Sequence, residues 1–579
     1  MKQQRVFLFA AAVLFSACLA PKQKTAGSSA DAGNATSICA PKSGAAGLYT
    51  EPGRSGALAP LFKGLTDHFT YPVSTKNPIA QKYFDQGLML SYGFNHAEAA
   101  RAFREMIRLD PDCAMGYWGI AYVLGPNYNA TMDTTALPQA LDAIQEARLR
   151  AHTATPKERA LIDALSKRYP ASRHGDFKAG YAAYAEALKA YQQQFPGDPD
   201  FAALTAEALM DMHPWDLWEK DGRPKPWTPE IIALIETTLA RHPEHVQSIH
   251  LYIHATEASA DPERALSYLA VLAKKVPGSG HLVHMPSHTQ INTGHYHDGV
   301  LANEQAIKLD SLYFEACHAD GLYALAYYPH NRHFLAACAA LEGQGRKAVA
   351  ASRIMRDYVA GQPLLKDPSM GFLQHYYAIP WFIMVKFAQW DDILRERRPD
   401  ADLKYPTAIW EYARGMAYCR KGDLARARAS LSAVQAIEGD AGIASLTIGD
   451  INKIPDIVRI ARCVLEAEIA RAEGRMPDAI RLLTEAVAFE DDLNFNEPPD
   501  WFFSIRHFLG HALLEAGRPA EAEAVYRRDL LDQKANGWAL KGLQISLLKQ
   551  GKSAEAREAE RQYRAAWKYA ERELDSSVL

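Results

Sequence analysis

Residues 83–111 read YFDQGLMLSYGFNHAEAARAFREMIRLDP, and the spacing of small and large side chains in this stretch decides the fold. Gly87 and Ala99 lie twelve positions apart, and small residues at such positions let two helices approach closely. Phe103 follows Ala99 by one helical turn, where a large side chain fills the groove between the helices. Pro111 ends the second helix, because proline disfavours helical geometry in the residue before it. The stretch therefore predicts a helical hairpin.

The same spacing of small residues recurs further along the chain. The pairs are Gly294 with Ala306 in a degenerate copy, Gly415 with Ala427, Ala467 with Ala479, Gly510 with Ala522 and Gly542 with Ala554. With Tyr83, Gly87, Ala99, Phe103 and Pro111 at the matching offsets, the chain resembles the tetratricopeptide repeat, a helical hairpin of about 34 residues. The resemblance covers most of residues 80–570. It implies an all-α helical-repeat solenoid whose groove binds a protein, a peptide or a ligand.

Composition and charge narrow the class of partner. Of the 579 residues, 48% are hydrophobic and 23% are charged, which is typical of an ordered protein. The chain has 64 basic and 68 acidic residues and no basic stripe interleaved with aromatic residues, so we expect no nucleic-acid partner. No C-x-x-C pair occurs, and we expect most cysteines to be buried as small hydrophobic side chains.

The N-terminus predicts export. Two basic residues precede an apolar run over residues 6–15, which has the length of a signal peptide. Residues 15–18, Phe-Ser-Ala-Cys, resemble a bacterial lipobox, in which Cys18 is acylated and becomes the new N-terminus. Phe15 stands where that motif usually has Leu, and ordinary cleavage near Ala17 or Ala20 is the alternative.

The segment after Cys18 predicts where the protein is held. Residues 21–46 are rich in Lys, Ala, Ser and Gly and favour a flexible tether. No Asp follows Cys18, and by resemblance to lipoprotein sorting this indicates the outer membrane, with the protein facing the periplasm. We expect the lipid anchor to be the only attachment to the membrane.

The sequence predicts five segments. They are a signal peptide over 1–18, a tether and lead-in over 19–76, N-terminal repeats over 77–200, His-rich central repeats over 201–340 and C-terminal repeats over 341–579.

The central segment holds most of the 20 histidines, and the sharpest pattern is His250-Leu-Tyr-Ile-His254-Ala-Thr-Glu257. On a helix these three side chains fall at i, i+4 and i+7, so two imidazoles and a carboxylate share one stripe. Zinc, iron and copper prefer such ligands. A buried carboxylate also needs a charged or metal partner. The pattern therefore predicts a metal site.

A second group of histidines adds candidate ligands. His281 and His284 precede Pro286, which makes one continuous helix unlikely and starts a new helix that carries His288. Further support is expected from four residues in two short motifs: His213, Asp216, His330 and His333.

Three interpretations of this segment stay open. The His and Glu side chains form a hydrogen-bonded network without metal, they hold a structural ion, or they hold a catalytic ion with Glu257 as ligand or general base. The last would make the protein a metal-dependent enzyme, hydrolytic or oxidative, built in a repeat scaffold. A metal-handling protein that binds an ion for transfer is a further alternative. For the nearby aromatic residues we expect ordinary repeat packing; they are Trp215, Trp218, Tyr252, Tyr327 and Tyr328.

Several stretches are similar to signatures of a group of large bacterial tetratricopeptide proteins. They are HPWD at 213–216, HLYIHATEAS at 250–259, HLVHMPSH at 281–288 and EPPDW at 497–501. The resemblance implies a shared site and leaves its chemistry open. We therefore expect an envelope-tethered repeat protein that binds a partner or ligand and carries a central His/Glu site.

Overall fold

The computed structural model describes residues 58–317 and 322–579, and nearly all of its regular structure is helical. The predicted all-α helical-repeat class is confirmed. The chain forms two compact units. The first comprises residues up to 289 and residues 305–328, and the second comprises residues 290–304 and 329–579.

The first unit is built from helices joined by turns and by longer loops, such as the loop over 213–227. The helices are α1 Pro78–Tyr92, α2 His96–Leu109, α3 Ala114–Val123, α4 Leu137–Arg150, α5 Pro156–Leu165, α6 Phe177–Gln194, α7 Pro199–Met212, α8 Thr228–Arg241, α9 Val246–Thr256, α10 Leu269–Lys275 and α11 Gly280–His284. Short 3₁₀ helices cover Thr134–Ala136, Ala151–Thr153 and Pro262–Tyr268, and a π-helix covers Tyr323–Tyr327.

Two helices contain residues of both units, α12 Pro286–Thr293 and α13 Tyr296–Cys317. The remaining helices are α14 Tyr328–Leu341, α15 Gly345–Ala360, α16 Gly371–Lys386, α17 Trp390–Arg395, α18 Lys404–Arg420, α19 Leu424–Glu438, α20 Ile454–Ala472, α21 Met476–Asp491, α22 Arg506–Glu515, α23 Pro519–Asp532, α24 Gly537–Lys549 and α25 Ser553–Ala566. A small antiparallel pair, β1 Thr447–Ile448 and β2 Asn452–Lys453, precedes α20, and 3₁₀ helices cover Pro363–Lys366 and Pro368–Met370.

Apart from Gly294, the glycines that predicted the repeat lie where helices cross. Helix α1 packs along α2, as α18 does along α19 and α24 along α25. A Cβ added at Gly87 would lie 2.6 Å from the Phe103 ring, and one at Gly119 would lie 2.5 Å from it. Because Phe103 is fully buried, the ring fills the groove that both glycines leave open.

The degenerate copy around Gly294 differs from the prediction. Gly294 forms the turn between α12 and α13 with a φ of +81°, so it is not a residue of a helix crossing. A positive φ favours glycine for its own conformational reason, and the spacing to Ala306 is therefore not that of a repeat.

Two further properties concern the sequence predictions. Cys113, Cys338, Cys419 and Cys463 are buried free thiols, in agreement with the expected hydrophobic role. Of the helices in 58–317 and 322–579, none is both long and apolar enough to cross a membrane. Cys18, the signal peptide and the tether over 21–46 lie outside the described residues.

Candidate metal centre

Helix α9 carries the first two predicted imidazoles into the core of the first unit. His245 caps the helix, and its side chain accepts a hydrogen bond from the Ser248 amide. His250 and His254 follow on successive turns, and Glu257 comes directly after the helix. All three residues are buried, with exposed fractions of 0% for His250, 1% for His254 and 3% for Glu257. The predicted stripe is present and faces inward.

The second group of histidines lies on two consecutive short helices. Helix α11 carries His281 and His284, and α12 begins at Pro286 and carries His288 in its first turn. Met285 is the only residue between them, and its dihedral angles are helical. All three imidazoles are buried with at most 1% exposure. The structure therefore places six predicted residues in the core of the first unit.

The hydrogen bonds of α9 fix which ring nitrogen carries the proton. Nδ1 of His250 lies 2.6 Å from the Tyr92 carbonyl oxygen, and a carbonyl can only accept. Nδ1 of His254 lies 3.1 Å from Oε1 of Glu257. Both imidazoles therefore hold a proton on Nδ1 and present the lone pair of Nε2.

These lone pairs meet at His281. Ligand atoms of His250, His254 and His281 all lie within 4.8 Å of one another. Within the part of the chain that the structure describes, Nε2 of His250, Nε2 of His254 and both ring nitrogens of His281 are buried and lack a hydrogen-bond partner. An unpaired buried polar atom costs about 1–3 kcal/mol, so an ion bound at this convergence would offset a cost that the packing leaves.

The other three residues form a hydrogen-bonded chain beside this group. Oε2 of Glu257 lies 2.8 Å from Nδ1 of His288. Nε2 of His288 lies 2.9 Å from Nε2 of His284, and the Ser287 hydroxyl lies 3.3 Å from Nδ1 of His284. Glu257 thus faces His254 with one oxygen and His288 with the other.

Burial keeps the imidazoles neutral. It lowers the pKa of His250 and of His281 well below the ordinary value, and it lowers the pKa of His254 as well. Burial alone would raise the pKa of Glu257, but the His254 and His288 rings at its two oxygens reverse the effect and lower it. His250, His254 and His281 are therefore neutral and Glu257 is ionised, which is the protonation state that metal binding requires.

Aromatic rings enclose the imidazoles. The Phe94 ring centre lies 4.5 Å from that of His250 and 5.5 Å from that of His281. Tyr128 lies 5.2 Å from His254, and Tyr327 lies 4.8 Å from His281. Ordinary packing between repeats was the role expected for Tyr327, and the structure instead places its ring against the candidate site.

The turn that holds Phe94 is unusual. Phe94 has a φ of +55°, a conformation that L-residues rarely adopt. It lies between α1 and α2, and the residue is only 3% exposed. The backbone strain places the ring against the imidazoles, and strain of this kind clusters at functional sites.

The HPWD motif contributes a residue other than those predicted. His213 stacks on Trp227 with ring centres 3.8 Å apart, and exposed Asp216 pairs with Lys225 at 3.3 Å. Instead, Trp215, with a φ of +56°, stacks on Tyr128 and lies edge-on to His254 at 6.2 Å. The structure therefore brings the motif to the cluster through its tryptophan.

The last two predicted residues lie in the second unit. His330 is half-buried in the first turn of α14, with its ring 4.9 Å from Phe334. His333 is buried in that unit, and its ring stacks on Phe502 at 5.4 Å and meets His375 at 5.7 Å. His333 is thus part of a different group of side chains from the six described above.

Fold and site together define an all-α helical-repeat protein with a buried His/Glu cluster. No protein-family model matches the chain, and no curated protein matches it. Among solved structures it is similar to human IFIT1 in a dimer with m7Gppp-AAAA, at 12% identity and a TM-score of 0.31 over 78% of this chain and 90% of that one.

Two other solved structures are similar over comparable lengths. Yeast Tom70 shares 11% identity at a TM-score of 0.27, over 84% of this chain and 90% of that one. The P58(IPK) TPR domain shares 12% identity at a TM-score of 0.22, over 82% of this chain and 99% of that one.

Sequence reasoning missed Phe94 and Tyr128. Neither belongs to a histidine motif, and both lie more than 120 positions before His254. Gly93-Phe94-Asn95 signals a turn between two helices, but nothing in that signal says which way the ring points. Only the packed structure brings these rings to the imidazoles.

Proposed function

We propose that this protein is a helical-repeat binding protein with a transition-metal ion at its centre, held by His250, His254 and His281. The observation that carries the proposal is the convergence of buried ring nitrogens that lack partners in the described residues. Three imidazoles suit zinc, copper, iron or nickel. Nε2 of His250 and Nε2 of His254 can bind an ion without losing a proton, because both ring protons already lie on Nδ1.

The surrounding groups support this assignment. Metal-bound imidazoles commonly donate their other N–H to a carboxylate or a backbone carbonyl. Glu257 and the Tyr92 carbonyl are such acceptors for His254 and His250. In this proposal Glu257 orients a ligand and does not itself bind the ion.

The burial of the ligands favours a structural role for the ion. His250, His254 and His281 are at most 1% exposed, and aromatic rings cover them. A catalytic ion needs a position that substrate can reach. The ion would therefore stabilise the first unit and hold α9 against α11.

The test is elemental analysis of the purified protein and of His281→Ala, with His174→Ala as the control at an exposed histidine. We expect bound metal in the wild type and in His174→Ala, and the loss of an ion in His281→Ala with the helical circular dichroism retained. Equal metal content in all three proteins, or none in the wild type after growth with added metal, would overturn the proposal.

The repeat scaffold supports a protein or peptide as the partner. In the first unit α6, α7 and α8 line a cavity of about 300 Å³, with Gln192, Ala202, Leu234 and Arg241 among its side chains. A photo-reactive residue at Leu234 should cross-link a single polypeptide in cells. The absence of an adduct, or an adduct with nucleic acid instead, would contradict this part of the proposal.

The proposal includes a lipid anchor at Cys18 in the cell envelope. It rests on the basic start, the apolar run over 6–15 and the Phe-Ser-Ala-Cys sequence. Wild-type protein should fractionate with outer membranes, and Cys18→Ser should be released into the soluble fraction. A wild type found in the soluble fraction would contradict it.

A further inference from the structure

Two buried imidazoles remain beside the proposed ion. Nε2 of His284 lies 2.9 Å from Nε2 of His288, and both residues are at most 1% exposed. Two nitrogens bound to one ion at about 2.05 Å are about 2.9 Å apart in square-planar or octahedral coordination and about 3.3 Å apart in a tetrahedron. The pair is therefore placed as two neighbouring ligands of a single ion would be.

Glu257 relates this pair to the first three imidazoles. Its Oε1 faces Nδ1 of His254 at 3.1 Å, and its Oε2 faces Nδ1 of His288 at 2.8 Å. Each of the two rings thus offers Nδ1 to the carboxylate and keeps Nε2 for another neighbour. Nε2 of His254 lies near His250 and His281, and Nε2 of His288 lies near His284. One carboxylate orients imidazoles of two ligand groups.

The two groups lie side by side. Ring centres of His281 and His284 are 5.8 Å apart with their planes inclined at 30°, and those of His254 and His288 are 5.4 Å apart. An ion at each group would have the other as its immediate neighbour. Metal pairs about 3.5–4 Å apart are a common arrangement in proteins.

We propose that the centre takes two transition-metal ions, the second bound by His284 and His288 and completed by water or a small anion. This inference rests on the proposed function, because the first ion is the one held by His250, His254 and His281. The competing description is a hydrogen-bonded chain from Ser287 through His284 and His288 to Glu257, which needs no ion.

Stoichiometry separates the two descriptions. The full-length protein is stripped with a chelator, titrated with Zn²⁺ and measured by elemental analysis after gel filtration. We expect two equivalents in the wild type and one in His284→Ala. One equivalent in the wild type would overturn the second ion and leave the first. None would overturn the proposed function as well.

A second measurement guards against a variant that fails to fold. His284→Gln retains a polar side chain, and His174→Ala is the matched control at an exposed position. With Cu²⁺, the wild type and His174→Ala should show the magnetic coupling of two nearby ions by electron paramagnetic resonance. His284→Gln should show one isolated ion with unchanged circular dichroism. Isolated-ion spectra in the wild type at full loading would contradict the paired centre.

Discussion

The Glu257 carboxylate accepts a hydrogen bond from Nδ1 of His254 at 3.1 Å, directly at the end of the helix that carries the imidazole. This contact fixes the tautomer of His254 and leaves Nε2 as a lone pair beside His250 and His281. Glu257 therefore sets the orientation of His254, one of the three proposed ligands.

Glu257→Gln should weaken metal binding while the fold is retained. The amide replaces one of the two carboxylate oxygens, which face Nδ1 of His254 and Nδ1 of His288, with an NH2 group that donates and cannot accept. Changes to such supporting groups weaken metal affinity by about 10–100-fold. Competition with a chelator measures the affinity, with Glu146→Gln on the surface as control. Equal affinities for wild type and Glu257→Gln would show that the carboxylate does not orient a ligand.

Phe94→Ala should make the proposed ion exchange faster. The Phe94 ring covers His250 and His281, and the residue is 3% exposed. Its removal opens the site to water and, as for other buried aromatic residues, costs about 3–5 kcal/mol of stability. Release of Zn²⁺ to a chelator should accelerate in Phe94→Ala and not in Phe495→Ala, where the side chain is exposed. An unchanged release rate would contradict the enclosing role.

Gly87→Ala should destabilise the first helical hairpin. The new Cβ would lie 2.6 Å from the ring of Phe103, which is fully buried and cannot move away freely. Overpacking of this kind costs about 1–3 kcal/mol. Gly439→Ala is the control, since its nearest atom is 3.9 Å away. Urea denaturation should give a lower free energy of unfolding for Gly87→Ala and not for Gly439→Ala. Equal values for the two variants would contradict a close helix crossing at Gly87.

The stability of the first unit should depend on pH through Glu98. Burial raises the pKa of Glu98 to about 8, although two neighbours act in the opposite direction. They are the Tyr313 hydroxyl, which donates a hydrogen bond to Glu98, and the Arg101 guanidinium at 3.2 Å. Between its ordinary value of 4.5 and about 8, the folded state therefore holds a proton that the unfolded state has lost. The contribution of Glu98 to stability then falls as pH rises, by about 1.4 kcal/mol per pH unit at most.

Glu98→Gln removes this proton. The free energy of unfolding of the wild type should fall relative to that of Glu98→Gln as the pH is raised from about 5 to about 8. Urea denaturation across this range measures the difference. A difference independent of pH would mean that Glu98 is ionised in the folded protein throughout.

The fold and the inner histidines could be predicted because each follows from local spacing. Gly87, Ala99 and Phe103 specify a helix crossing within one hairpin, and His250, His254 and Glu257 share a stripe by helical periodicity alone. Pro286 likewise predicts the boundary between the helix Gly280–His284 and the helix that begins at Pro286.

The enclosure of the site could not be predicted because it depends on tertiary packing. Phe94 reaches the imidazoles from a turn between α1 and α2, in a backbone conformation that few residues other than glycine adopt. In HPWD the flanking His213 and Asp216 were the expected contributors, and the turn instead presents Trp215 to His254. Which ring nitrogen is free depends on the distant Tyr92 carbonyl in the case of His250.

X-ray absorption spectroscopy of the protein loaded with one equivalent of Zn²⁺ tests the central claim most directly, because it counts the ligand atoms around the ion. The account predicts imidazole nitrogens at about 2.0–2.1 Å, with the multiple-scattering pattern of about three rings per ion at the first site and no sulfur. His281→Ala should lose imidazole scattering, and His174→Ala should retain it. A shell of oxygen atoms without imidazole scattering would contradict a centre built from His250, His254 and His281.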